Sequence, residues 1–394
     1  MPGHLIHRRW HHDPTLHAPA SYKRACGYDP FIPDLLADVE WALDASLAGA
    51  VSEAEGAIRA LNSEAGPALK PLARLLLRTE AIASSKVEGL QVGVRELAKA
   101  GNGGKASATA REVLANIDAM ILAVGEAALV ERFGVREITI IHARLMAHAP
   151  NPTIGGVIRT QQSWIGGNAY NPCGADFVPP PPEDVARLLE DLCAAINDEQ
   201  MPPLVQAALV HAQFETIHPF ADGNGRTGRA LVQVIFKRRR LAPDYLPPIS
   251  VVLAAALSRY IAGLTAFRSD GVNTWIDQFA NAAMKATWLA TVYLAAVRAL
   301  GDEWRARLAS SPTAPRRDAA AWAILDALPA QPVVTAAALA EATARNMMSV
   351  YQGIEQLVSA GVLLPLSASR RNRSWEARGM LELIDGLEAG EAPA

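Results

Sequence analysis

The sequence predicts a mainly α protein: a helical core interrupted by one β-hairpin, followed by a small C-terminal unit of three helices and two short strands. Three observations carry this. Apolar residues recur at helical spacing, as at Leu72, Leu75, Leu76 and Ala83, and at Val113, Ile117, Met120, Ile121 and Val124. Residues 155–178 break that pattern. Val157, Ile158, Thr160, Trp164 and Ile165 precede the turn signal Gly166-Gly167-Asn168, and Phe177 and Val178 follow it. Third, Ser310-Ser311-Pro312-Thr313-Ala314-Pro315 has the composition of a linker.

Composition narrows the classes. A chain of 394 residues suggests two or three domains. With 50% hydrophobic and 20% charged residues it can bury a large core and is not a disordered chain. A net charge of −3 excludes a polycation that coats nucleic acid or an anionic membrane. The three cysteines, Cys26, Cys173 and Cys193, are scattered, odd in number and form no CxxC pair. That pattern speaks against a disulfide scaffold or a cysteine zinc site and points to a cytoplasmic protein. No apolar stretch is long enough for a membrane span or a signal peptide. His7 and His11, within the group His4, His7, His11 and His12, would share a face if they lay on a helix and could then ligate a metal. No helix signal supports that spacing, so residues 1–27 are expected to be a flexible arm.

Residues 28–110 read as an N-terminal helical region. Leu35, Val39, Ala42 and Leu43 open it at helical spacing, and Gly101-Asn102-Gly103-Gly104 reads as a loop near its end. Residues 111–300 form the expected core. The run from Pro179 to Pro182 ends the hairpin segment and starts a helix near Glu183 and Asp184. Residues 301–316 are the expected linker, and residues 317–394 a separate unit. Its helices are expected over 318–328, 335–344 and 346–360, with Gly361 as C-cap. Strands over 362–366 and 374–377 would flank Ser369-Arg370-Arg371-Asn372-Arg373. Three helices and a two-stranded wing make the winged helix-turn-helix pattern. DNA binding through 346–360, with Arg370, Arg371 and Arg373 on the backbone, stands against a docking or dimerisation role; the few basic residues in 346–360 weaken the first.

The chemistry concentrates in one window, His218-Pro219-Phe220-Ala221-Asp222-Gly223-Asn224-Gly225-Arg226-Thr227-Gly228-Arg229. A helical run, 204–216, leads in and another, 230–237, leads out. Gly223, Asn224 and Gly225 tolerate the left-handed conformations that turn successive N–H groups inward, and the helix dipole adds positive potential there. Arg226 and Arg229 sit at the helix end where cations are disfavoured, which makes sense if a multiply charged anion, best a triphosphate, lies between them. A carboxylate at Asp222 beside phosphates calls for a cation, and Mg²⁺ suits one carboxylate plus phosphate oxygens and water. His218 at the mouth suits a general base, and Phe220 should anchor the loop in the core.

This window resembles the signature of the Fic-domain family, H-x-F-x-[D/E]-G-N-G-R-x-x-R, at every constrained position. The resemblance covers roughly residues 28–300. It implies a helical core with a β-hairpin flap and an enzyme that transfers AMP from ATP to a Ser, Thr or Tyr hydroxyl of a target protein, with ATP as substrate and Mg²⁺ as cofactor. Related kinases of the Doc type carry Lys where this chain has Gly225, so Gly225 favours nucleotidyl transfer. The resemblance assigns His218 as base, Asp222 as metal ligand, and Gly223, Asn224, Gly225, Arg226, Thr227, Gly228 and Arg229 to the nucleotide. The flap residues Thr160, Gln161, Gln162, Ser163, Trp164 and Ile165 would dock the target.

Upstream, Ser84-Ser85-Lys86-Val87-Glu88-Gly89 resembles the family's inhibitory pattern, [S/T]-x-x-x-E-[G/N], in the N-terminally inhibited class II position. Ser84 and Glu88 would share a helix face and Gly89 would stop the helix. A carboxylate in a last helical turn opposes the dipole, so Glu88 should want a distant cation, and Arg229 is the candidate. Pairing would keep Arg229 from the γ-phosphate. Rival readings are removal of AMP, with Glu88 placing a water, another phosphodiester-group transfer within the family, and a DNA-binding regulator with a nucleotide-sensing core. The partners implied are a target protein and no membrane; self-modification, a homodimer and DNA are left open.

Overall fold

A computed structural model describes residues 3–15, 17–38, 42–64, 70–101, 105–366 and 373–393. In chain order it contains β1 Gly3–Leu5, β2 Arg8–Trp10, β3 Cys26–Tyr28, β4 Phe31–Pro33, α1 Ala45–Glu64, α2 Lys70–Val87, α3 Val94–Gly101, α4 Ala108–Gly125, α5 Val135–Met146 and α6 Pro182–Asn197. There follow α7 Pro203–Ile217, α8 Asn224–Arg238, α9 Ile249–Ala255, α10 Leu257–Phe267, α11 Val272–Ala309, α12 Ala320–Ala327, β5 Val333–Thr335, α13 Ala336–Thr343, α14 Met347–Ser359, β6 Leu363–Pro365, β7 Ser374–Ala377 and α15 Met380–Ala389. The protein is mainly α, as its periodicity predicts. Among the described residues no single helix is long and apolar enough to cross a membrane.

The chain divides into two compact units. The first comprises Met1–Glu55, Asp118–Leu241 and Ala256–Asn281. Its centre is α7, which has no solvent-facing side and is buried over its whole length, with α6, α8, α10 and β4 around it. The Glu55 carboxylate accepts from Leu204 N at 2.9 Å, satisfying a donor at the start of α7 that has no helical partner.

Four expectations are corrected in this unit. Residues 1–27 are not a flexible arm: β1 pairs with β4 and β2 with β3, both antiparallel. His7 and His11 flank the strand β2 rather than sharing a helix face, and His7 Nδ1 lies 2.8 Å from Asp29. Cys26 and Cys173 are joined as a disulfide with Cα atoms 6.2 Å apart, and Cys193 is the free thiol, so the expectation that the cysteines stand unpaired is corrected. Distance along the chain hid the pairing, because the partners are separated by 147 positions. Among the described residues of the stretch from Leu35 to Leu43 there is a 3-10 turn, Leu36–Asp38, and no α-helix; the Asp191 carboxylate takes the first N–H groups of that turn, and residues 39–41, Val39 among them, lie outside the described residues.

The fourth concerns the hairpin. Its arms meet at a single antiparallel bridge, Ile165 to Phe177, and no ladder forms. The tip folds on itself instead: the Asn168 side chain accepts from Tyr170 N and Asn171 N, and Trp164 Nε1 donates to Asn168 O. The N-terminal strands lie against it, with Trp10 edge-on to Trp164 and Tyr22 stacked on Tyr170.

The second unit comprises Gly56–Ile117, Ala242–Ala255 and Ala282–Ala394. It contains α12, α13 and α14 with Thr335 and Asn346 as N-caps, and a three-stranded antiparallel sheet in the order β5-β7-β6. Gly361 ends α14 with φ 68°. Strand β5 was not anticipated. The expected linker at 301–316 is in fact helix α11 as far as Ala309. Residues 317–394 are also not a separate domain. Leu72, Leu76 and Ala83 of α2 and Val94 of α3 share one core with Trp304, Ile324, Leu357, Trp375 and Ile384. The loop residues Asn102 to Gly104 and the wing residues Ser369, Arg370, Arg371 and Asn372 lie outside the described residues.

Candidate active site

The site is built where α7 ends and α8 begins, within the first unit. His218 caps α7 in the left-handed region, φ 50° and ψ 59°, with its N–H bonded to Phe214 O at 2.9 Å. Gly223 caps the start of α8, also left-handed at φ 75°. A Cβ there would sit 3.0 Å from Met146 Sδ and 3.2 Å from His142 Nε2, so both conformation and space require glycine. Between these two bends Asn224 closes the loop: its Oδ1 accepts from Phe220 N and its Nδ2 donates to Phe220 O, both at 2.9 Å.

Phe220 is buried, as its apolar character predicts, and stacks at 3.7 Å on His142 of α5. His142 accepts from Gly156 N through Nδ1, so its Nε2 carries the proton and donates to Asp222 O at 2.9 Å. Burial pushes its pKa down to about 4, with the Arg226 charge adding to the fall, so the ring is neutral at pH 7. No motif marks His142; a lone histidine on a helix gives no sequence signal.

The first intrahelical bond of α8 runs from Thr227 N to Gly223 O, so the N–H groups of Asn224, Gly225 and Arg226 precede the helical ladder, where backbone donors and the dipole suit an anion. Arg226 and Arg229 are both buried. The Nε and Nη1 of Arg226 have no hydrogen-bond partner, and its Nη2 stands 3.8 Å from Asp222 Oδ1. A buried guanidinium with two unused donors at a helix N-terminus has the chemistry to take an anion. Arg229 lies near His211 of α7, whose pKa is pushed down to about 3 by burial and by that charge. The Asp222 side chain is 62% exposed, and its Oδ1 accepts from Gly223 N at 2.6 Å.

Two assigned nucleotide residues have structural work here. The Thr227 hydroxyl is buried and donates to Gly223 O at 2.9 Å. A Cβ on Gly228 would stand 2.8 Å from Glu215 Oε1 and 3.1 Å from Phe214, so Gly228 lets α8 press onto α7.

The flap begins beside the motif, with Arg159 N donating to Pro219 O at 2.9 Å. Thr160, Gln161 and Ile165 are exposed, and Gln162, Ser163 and Trp164 half-buried. Ser84, Glu88 and Gly89 belong to the second unit. There α2 stops as the sequence predicts: Gly89 is left-handed at φ 78°, and Leu90 N and Glu88 N both reach Ser85 O. Ser84 is buried and Glu88 exposed.

Residues 132–236 match the family model described as the Fic/DOC family, and residues 48–125 match its N-terminal family model. The chain carries a Fic domain. Over 116 residues it is 36% identical to protein adenylyltransferase fic-1 of Caenorhabditis briggsae, covering 29% of this chain and 21% of that one. Over 116 residues it is 35% identical to protein adenylyltransferase Fic of Drosophila ananassae, again 29% and 21%. The chain thus spans about a fifth of the length of these curated relatives. The crystal structure of a Fic family protein from Desulfovibrio desulfuricans G20 superposes with a TM-score of 0.52 at 18% identity, covering 86% of this chain and 98% of that one, which shows the shared Fic fold.

Proposed function

We propose that this Fic protein is a protein adenylyltransferase that moves AMP from ATP to a Ser, Thr or Tyr hydroxyl of a target protein, and that Glu88 restrains it. The observation that carries the reading is the buried Arg226, with two unused guanidinium donors, at the N-terminus of α8 and four helix positions from Asp222. That pocket of positive potential suits a polyphosphate. The matched relatives, named protein adenylyltransferases, support the donor and the reaction.

In this reading the N–H groups at the start of α8, Arg226 and Arg229 hold the triphosphate and neutralise charge that grows during transfer. The target hydroxyl oxygen bonds to the α-phosphorus, the bond from that phosphorus to the bridging oxygen breaks, and pyrophosphate leaves. His218 takes the hydroxyl proton. Asp222 fits Mg²⁺ arriving with the nucleotide: it is one exposed carboxylate, and among the described residues no cluster of three acidic, His or Cys side chains offers a preformed metal site. When bound, the metal supplies positive charge to the phosphate oxygens.

For the C-terminal unit we favour a protein partner over DNA. Helix α14 turns Met347, Met348 and Tyr351 to solvent, 42%, 83% and 50% exposed, where a DNA-reading helix would present polar and basic groups.

The test is incubation of Glu88→Gly protein with α-labelled ATP and Mg²⁺, following label into protein, its own chain included. Glu88→Gly should label about 5–150-fold faster than wild type, the usual range of coupling between sites. Folded Glu88→Gly that binds ATP yet labels no protein overturns the reading.

A further inference from the structure

Arg159 stands outside every motif. It opens the flap segment, two positions beyond the exposed Val157, yet is itself 7% exposed. Burial pulls its pKa down to about 10, so it remains a cation at neutral pH. Among the described residues no carboxylate lies within ion-pair distance, and the guanidinium is held by carbonyl oxygens. Nε donates to His218 O at 2.8 Å, and Nη2 donates to Ile217 O at 3.2 Å and to Pro180 O at 2.5 Å. Nη1 donates to Gln161 O at 3.1 Å. The backbone adds Arg159 N to Pro219 O at 2.9 Å.

These five contacts fall into two sets. Ile217, His218 and Pro219 form the bend that aims His218. Gln161 and Pro180 belong to the two arms of the flap. The α7 carbonyls bonded by Arg159 are among the last of the helix and lack helical donors, and the dipole places negative potential on them, so a guanidinium is the fitting cap. His218 needs such a cap, because the left-handed region is disfavoured for a residue that carries a Cβ. The flap needs it too, since its arms share only the bridge between Ile165 and Phe177.

We infer that Arg159 is a positioning residue that sets the distance between the His218 imidazole and a hydroxyl docked on the flap, by bonding the backbone of both at once. The inference rests on His218 acting as base in the proposed transfer. The bonds of Arg159 reach the main chain of His218 and none of residues 223–229, so it should govern turnover and leave nucleotide affinity alone. A planar fork meets four oxygens on different sides; the ammonium of lysine, shorter and without the fork, cannot.

The experiment uses full-length Glu88→Gly protein carrying Arg159→Lys, Arg159→Met or Arg159→Ala, each checked for folding. Turnover in label transfer should fall on the order of 10²-fold, the scale for a reacting group displaced by about 1 Å. The KM for ATP and the calorimetric affinity for ATP should stay within about two-fold of the parent. Guanidinium ion at tens of millimolar should restore part of the activity of Arg159→Ala, and the same concentration of sodium chloride should not. Independently of activity, the His218 imidazole resonance, assigned by its loss in His218→Ala, should shift or broaden in Arg159→Met while that of His211 stays. If Arg159→Met does not fold, Arg159→Lys gives the same readouts. The inference is overturned by wild-type turnover in folded Arg159→Lys and Arg159→Met, by ATP affinity falling in parallel with turnover, or by an unmoved His218 resonance. If Glu88→Gly itself labels nothing, the proposed function fails, and the His218 resonance alone still decides whether Arg159 positions that residue.

Discussion

His142 and His218 bracket the loop and carry two predictions. His142 is neutral in the fold because burial lowers its pKa from 6.5 to about 4. Between those values the unfolded chain binds a proton that the folded chain refuses, so falling pH favours unfolding. The contribution is full above pH 6.5 and lost on the way down to pH 4. At 1.36 kcal/mol per pKa unit it amounts to about 3 kcal/mol. His211, with a pKa of about 3, acts in the same direction, so the comparison must be a difference. The stability advantage of wild type over His142→Gln, from urea unfolding at each pH, should shrink as pH falls from 6.5 to 4. A constant difference would mean that His142 already titrates normally. For His218, conformation and chemistry separate by substitution. Asn adopts the left-handed region more readily than Ala does. His218→Asn should therefore match wild type in melting temperature, and His218→Ala should fall about 1 kcal/mol below it. In the Glu88→Gly background both should lose about 10²–10⁴-fold of transfer. Transfer surviving in His218→Asn would remove His218 as the base.

Among the elements, α7 and α8 set the site through one close approach. Adding Cβ to Gly228 meets the Glu215 carboxylate at 2.8 Å and His211 Nδ1 at 3.1 Å, in a wall with no slack. Gly228→Ala should cost about 1–3 kcal/mol as α8 backs away from α7, and ATP affinity should fall with it because Arg226 and Arg229 ride on α8. Calorimetry and thermal melting read both; unchanged affinity at lowered stability would separate the start of α8 from the packing. The loop was legible in the sequence because its determinants are local: Gly223, Asn224 and Arg226 act within eight residues of His218. The stop of α2 at Gly89 was legible for the same reason. The N-terminal strands and the Cys26–Cys173 bond were not. Each depends on partners far along the chain, and the alternation in 155–165 is spent on seating Arg159 and the self-closed tip around Asn168 rather than on strand pairing. His142 and Arg159 were invisible because their partners are backbone atoms, which leave no pattern in residue identity.

At the scale of the whole molecule, the second unit decides what the C-terminal residues are for. A linker composition at 310–315 suggests a domain that could be removed. The core contradicts this, because Leu72, Leu76 and Ala83 of α2 are buried in the same cluster as Ile324, Leu357, Trp375 and Ile384. Polar ties repeat the point: Arg95 Nε donates to Glu376 at 3.0 Å, and Trp304 Nε1 donates to Arg378 O at 3.1 Å. Each large apolar side chain uncovered forfeits about 1.5–3 kcal/mol, and a handful of them equals the whole stability of a domain, about 5–15 kcal/mol. A chain ending at Ser311 should therefore lose the fold of α2 and α3 as well as the residues deleted. Hydrogen exchange reads this directly: the α2 amides from Leu75 to Ser85 should exchange slowly in full-length protein and fast in the truncated one. Slow exchange in both would mean that α2 folds without the C-terminal residues. Because α2 carries Ser84 and Glu88 directly follows its last residue, the same truncation bears on control. If Glu88 restrains transfer, melting α2 should release it, and the truncated protein should label itself or a target at a rate approaching that of Glu88→Gly. Truncated protein with fast-exchanging α2 amides, retained ATP binding and wild-type low activity would show that restraint does not act through α2.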